Sequence, residues 1–249
     1  VMAELQALGL TVRQELVQLD LDRGVIGARR QLDNVRDLRG LIIGLDRRPA
    51  DGRVYALTGL TEMTEHMSLL PLPAGAAQGA AFDQAARETR LDLPLPSGVR
   101  IAFDPVQDNL RAVTPEGRSF RIDPNNGSLR EDVNLLIVPA QGQPEISAIA
   151  YGNAWAGAQR APLYLIDIAQ QALLIEDPRQ PGRLDYIGSF QVPLRRLSAF
   201  RIFSDREGRN SGLVVDGNRI YTLDLLTAQA WDRAYFGSED LVLIDMAFL

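Results

Sequence analysis

The chain has no cysteine and only one histidine among its 249 residues. Without thiols there is no disulfide framework, no thiolate nucleophile and no Cys-ligated zinc or iron. A single imidazole cannot supply the multi-His sites used by most catalytic zinc and iron proteins. That residue, His66, lies in Glu65-His66-Met67-Ser68, read as part of a strand, and no serine sits in a Gly-x-Ser-x-Gly turn. Lysine is also missing, since all 26 basic residues are arginine. GC-rich codon usage explains such a skew, and so does retention of arginine for bidentate carboxylate pairing. No apolar run approaches the roughly 20 residues of a membrane-spanning helix. The N-terminal stretch lacks the basic, apolar and small-residue zones of a signal peptide. It begins at Val1 rather than Met, so this says nothing of a leader removed upstream. Excess positive charge is absent too. The net charge is −6 and the arginines are interleaved with Asp and Glu, which opposes nucleic-acid binding through a basic patch.

What is present is an ordinary globular balance, 46% apolar and 23% charged, arranged as a repeat. Four segments share one plan: an apolar strand, a polar turn, a second strand, and further strands that often end in hydrophobic-Asp. They begin at Leu41, Val99, Ile146 and Leu197, about 45–60 residues apart, near the period of propeller blades. Asp51-Gly52, Pro115-Glu116-Gly117 and Asn125-Asn126-Gly127 supply the turns, where glycine adopts the positive φ of a tight connection. The second segment reads as four strands with three short turns, the composition of one blade. The leftover pieces are LGLTVRQ, ELVQLDL and VIGARRQL at the start and DLVLIDMAFL at the end. Joined, they make a fifth blade in which the C-terminal strand is innermost, so that no ring edge stays open. The expectation is an all-β, five-bladed β-propeller forming one domain over 1–249. Its blades fall at about 8–32 plus 241–249, 41–86, 98–133, 145–190 and 197–236. Two stretches fit the plan poorly: Pro71 to Pro96, with a short helix expected near Phe82 to Thr89, and Leu135 to Pro144. Long loops in compact domains are usually functional or mobile.

The stretches LIIGLDRRPADGRVYALTG, IAFDPVQDNLRAVTPEGRSFRIDPNNGSL, AIAYGNAWAG with LYLIDI, and SGLVVDGNRIYTLDLLTAQA resemble a bacterial family known as domain of unknown function 4394. The resemblance covers about Leu41 to Ala230. It implies a propeller-like repeat and a secreted, periplasmic or cell-surface setting. It implies no activity, because the family brings no catalytic residues to carry over. The chain departs from many members in lacking their Gly-, Thr- and Ser-rich texture.

Acidic residues recur at strand ends: Asp20, Asp46, Asp104, Asp123, Asp167, Asp205, Asp224 and Asp245. Asp side chains accept hydrogen bonds from backbone N–H groups two residues on, so turn chemistry explains those on third strands. Asp46, Asp104, Asp205 and Asp245 follow inner strands and are the candidates for a carboxylate ring at one channel mouth, able to hold calcium or another divalent cation. No cofactor is otherwise expected. Tyr151, Trp155, Tyr235 and Phe236 are candidates for a partner-binding surface, since Trp and Tyr dominate binding hot spots. Two functions stand against each other. One is a non-catalytic protein-binding or scaffold propeller, a secreted or envelope-associated subunit of a larger assembly. The alternative is a metal-dependent hydrolase or lyase using the acids at the channel mouth.

Overall fold

A computed structural model describes residues 4–33, 40–62, 64–82, 88–138, 143–205 and 207–249. They form a five-bladed β-propeller, and each inner strand starts its blade at the central axis. In chain order the first blade contributes β1 (Gln6–Thr11), β2 (Glu15–Asp20) and β3 (Val25–Gln31). The second is β4 (Ile42–Arg47), β5 (Val54–Thr58), β6 (Ser68–Pro71) and the two-residue β7 (Thr89–Arg90). The third is β8 (Arg100–Asp104), β9 (Asn109–Val113), β10 (Ser119–Ile122) and β11 (Leu129–Asp132). The fourth adds a strand, β12 (Leu136–Ile137), to β13 (Ile146–Tyr151), β14 (Leu163–Asp167), β15 (Ala172–Glu176) and β16 (Arg183–Ser189). The fifth is β17 (Leu197–Ser204), β18 (Asn210–Asp216), β19 (Arg219–Leu223) and β20 (Ala230–Tyr235), after which β21 (Leu243–Phe248) returns to the first blade.

The sheet order β21-β1-β2-β3 closes the ring as the sequence leads one to expect. Ala7 faces Phe248, Gly9 faces Met246 and Leu10 faces Asp245 in an antiparallel register. Inner strands β21, β4, β8, β13 and β17 neighbour one another around the axis. They are apolar almost throughout because each packs on both sides. The buried side chains form five clusters, one in each gap between blades. Leu10, Leu16, Leu45 and Val54 fill the first gap, and Leu57, Phe103, Leu110 and Phe120 the second. Val113, Leu135, Ile149 and Leu165 fill the third; Phe200, Val214, Tyr221 and Leu173 the fourth; Leu19, Leu213, Phe236 and Met246 the last. Fully burying a side chain such as Phe103 stabilises the fold by about 1.5–3 kcal/mol.

Several arginines stitch blades together. Arg48 grips Asp108 with two nitrogens, at 2.7 and 2.5 Å, between the second and third blades. Arg111, almost fully buried, holds both oxygens of Glu176 at 3.2 Å between the third and fourth. Arg233 pairs with Asp22 between the fifth and first. The paired-nitrogen geometry at Arg48 and Arg111 is one that a lysine ammonium cannot reproduce.

The poorly fitting stretches are partly regular. Leu136 and Ile137 pair in parallel with Arg183 and Leu184, so part of Leu135 to Pro144 extends the fourth blade. Ala76–Gln78 make a single 3-10 turn packed on the first blade. The helix expected near Phe82 to Thr89 falls on residues 83–87, outside the described residues, and Thr89–Arg90 pair with β6. His66 is not a strand residue. It is exposed and precedes β6 by two positions. Among the described residues no helix is long and apolar enough to cross a membrane.

Candidate functional site at the channel mouth

Inner strands run in one direction around the ring, so their C-terminal ends share one face. There the channel opens into a cavity of about 150 Å3. Its walls come from all five blades: Phe248, Asp46, Phe103, Tyr151 and Ile202 each line it. Pro49, Ala154 and Ser204 surround the mouth, and Leu5 and Leu249 complete the rim where the first blade joins its two strands. Phe203 and Leu249 are exposed apolar residues at this mouth.

The floor is an arginine that the sequence reading passed over. Arg201 projects from the middle of β17 and is only 8% exposed. Its Nη2 donates to Asp245 Oδ1 at 2.9 Å and to the Leu45 carbonyl. Nη1 donates to the carbonyls of Phe200 at 2.8 Å and Ile149 at 3.3 Å. Nε lies 3.3 Å from Asp46 Oδ1 but finds no hydrogen-bond acceptor in line. The carboxylates reach onward, Asp46 Oδ2 accepting from Phe103 N at 2.7 Å and Asp245 Oδ2 from Leu45 N at 2.9 Å. One guanidinium and two carboxylates thus join β17, β21, β4, β8 and β13. Burial pushes the pKa of both Asp46 and Asp245 upward, and Arg201 pulls in the opposite direction.

The other two candidate acids lie elsewhere. Asp104 is buried, binds Arg121 Nη1 at 2.9 Å and caps its own turn by accepting from the N–H groups of Val106 and Gln107. Asp205 accepts from Arg209 N and Glu207 N in an exposed hairpin, contacts that hold its carboxyl below the ordinary range. Asp123, Asp167 and Asp224 cap turns in the same way, accepting from Asn125, Gln170 and Leu226. The four candidate acids therefore do not converge. Among the described residues no group of three or more His, Cys, Asp or Glu is placed to hold a metal ion.

The aromatic candidates also divide. Tyr151 is buried, lines the cavity and accepts from Arg111 at 3.4 Å; burial raises its hydroxyl to about 12. Trp155 is half-buried in the loop from Gly152 to Pro162, which is tied down by Asn153 N to Asn210 Oδ1 at 2.9 Å and Ala154 N to Ser204 Oγ at 3.2 Å. Tyr235 is exposed on the outer strand β20, away from the cavity lining. Phe236 is fully buried between the fifth and first blades, so it offers no surface. The signal for Arg201 was a lone charge inside the apolar run LSAFRIF, facing strand ends that read Leu-Asp and Ile-Asp.

The sequence pattern of Domain of unknown function (DUF4394) matches residues 11–247, which takes in β2 to β20 and most of the closing strand β21. No curated protein matches the chain. Among solved structures it is similar to a chain of a nidogen/laminin complex, at 15% identity over 98% of each chain with a TM-score of 0.53. It is equally similar to a protein of unknown function from Bacteroides caccae, at 8% identity over 99% of each chain and TM-score 0.53. An auxiliary nutrient binding protein from Bacteroides ovatus aligns at 11% identity and TM-score 0.52, over 88% of this chain and 52% of that one. At such identities the likeness concerns the fold.

Proposed function

The chain belongs to the DUF4394 family, and we propose that it works as a non-catalytic binding propeller that seats a protein partner on the face bearing the channel mouth. It does so as a subunit of a larger secreted or envelope-associated assembly, the setting that the family resemblance implies. The observation that carries this reading is the state of the inner-strand acids. Asp46 and Asp245 are committed to Arg201 and backbone amides, and Asp104 and Asp205 to Arg121, Arg209 and their own turns. A hard cation needs about six or more oxygen ligands converging on one point. These acids do not converge into such a cage, whereas the mouth offers a concave cavity with exposed Phe203 and Leu249 beside it. Concave, largely apolar sites with a few polar groups are the usual form of a binding pocket.

Purification from its source at low salt tests the reading. The expected result is a complex heavier than the protein alone, lost on Phe203→Asp while the melting temperature is kept. A chain that always purifies alone, or a complex indifferent to Phe203→Asp, contradicts it.

A further inference from the structure

The floor of the cavity carries two acidic groups for one basic group, and the arrangement is lopsided. Arg201 gives its in-line hydrogen bonds to Asp245 and to the carbonyls of Leu45, Ile149 and Phe200. Asp46 receives from it only a charge contact at 3.3 Å. The two carboxylates are almost equally exposed, 13% and 14% of their side chains, but Asp46 lines the cavity and Asp245 does not. The one further charge in the lining, Arg47, sends its Nε outward to the Gly52 carbonyl at 3.0 Å. The buried floor is therefore one negative charge in excess. An incompletely paired buried charge is costly and is completed by a counter-charge or a proton. The walls above Asp46 are apolar, from Phe103, Ile202, Phe203 and Phe248. That combination suits a cationic head on an alkyl stem.

We propose that the channel mouth receives a primary alkylammonium group, presented as a lysine side chain of the protein partner, with its ammonium on Asp46 and its stem against Phe103, Ile202 and Phe248. This rests on the binding-propeller reading and adds the chemistry of the anchor. None of the 249 residues is lysine, so these residues in a second copy supply no such anchor. Its net charge of −6 also favours approach of a basic partner. A proton and an ammonium compete for the same buried charge, so binding tightens as pH rises.

The test titrates the protein with n-pentylamine, N-acetyl-lysine methylamide and n-pentanol, following the NMR signals of Phe103, Tyr151 and Ile202. The expected result is at least tenfold tighter binding of both amines than of pentanol. Asp46→Asn should abolish that preference, and Ala154→Phe, on the exposed loop, should block both amines without altering the charges. If the free amine binds while the lysine derivative does not, the ligand is a small amine and the partner anchor is wrong. Pentanol binding as well as pentylamine overturns the ammonium claim but leaves an apolar anchor, so the binding-propeller reading survives. No shifts with any probe overturn the proposal outright, while the assembly test of Phe203→Asp still decides the wider reading.

Discussion

Arg201 is the residue on which most of the inner ring depends. Replacing it with leucine leaves Asp46 and Asp245 buried without a counter-charge, and breaking a buried ion pair from one side costs about 3–5 kcal/mol. Urea denaturation of Arg201→Leu should show that loss. Arg201→Lys should rescue little, because one ammonium cannot reach two carboxylates and three carbonyls from a single planar fork. A variant as stable as the parent would mean that the acids are not held by this contact. The same cluster sets a pH dependence. No other ionisable side chain makes an ion pair to the three among the described residues; β8 and β13 contribute the Phe103 amide and the Ile149 carbonyl. Both acids have folded pKa values raised above those of the unfolded chain. Their contribution to stability is then full below the unfolded value, near 3.9, and is lost as pH rises through the folded values. Asp22 and Asp132, lowered in the folded state although burial opposes it, work the other way, through the Leu5 amide with Arg233 and through Arg121 respectively. The difference between Asp245→Asn and the parent isolates the first effect. The variant's melting temperature relative to the parent should climb with pH, and a flat or falling difference would contradict the raised pKa.

The turns between strands carry the most local part of the code, and they were largely legible. Asp-Gly and Asn-Gly pairs mark hairpins from neighbouring residues alone, as at Asn126-Gly127. Gly127 has φ +78°, and a Cβ there would strike the Arg90 carbonyl of the second blade. Gly127→Ala should therefore cost about 2 kcal/mol or more, combining left-handed strain with a backbone clash. Gly79→Ala, at φ +93° with open space around it, should cost only about 1–2 kcal/mol of strain. Equal losses in thermal melts of the two would refute the close approach. What was not legible has a common cause. The two-residue β7, the parallel β12 and the burial of Phe236 depend on partners distant in sequence, and no local pattern reports them. The candidate acids show the same limit. Each strand-end Asp looks alike in sequence, yet only Asp46 and Asp245 meet, because β4 and β21 become neighbours through ring closure.

At the scale of the whole molecule, the repeat made the architecture readable, since a blade buries its second face only against another blade. Closure was readable for the same reason, the N-terminal strands needing an inner strand that the C-terminus supplies. Deleting Leu241 to Leu249 removes β21 and with it the partner of β1, Asp245 and the buried Met246. Against a total stability of about 5–15 kcal/mol, that loss should prevent stable folding, seen as aggregation or a missing cooperative melt. A truncated chain that is soluble and melts at the parent's temperature would exclude the closure. The central functional claim is that the inner-strand acids hold the ring together and leave the channel mouth free to bind. Calorimetric titration of the intact protein with calcium, magnesium, manganese and zinc tests it most directly, with melting curves recorded with and without chelator. The account predicts no stoichiometric binding and an unchanged melting temperature. Tight binding of one of these ions, abolished by Asp46→Asn and accompanied by a chelator-sensitive hydrolysis, would contradict it.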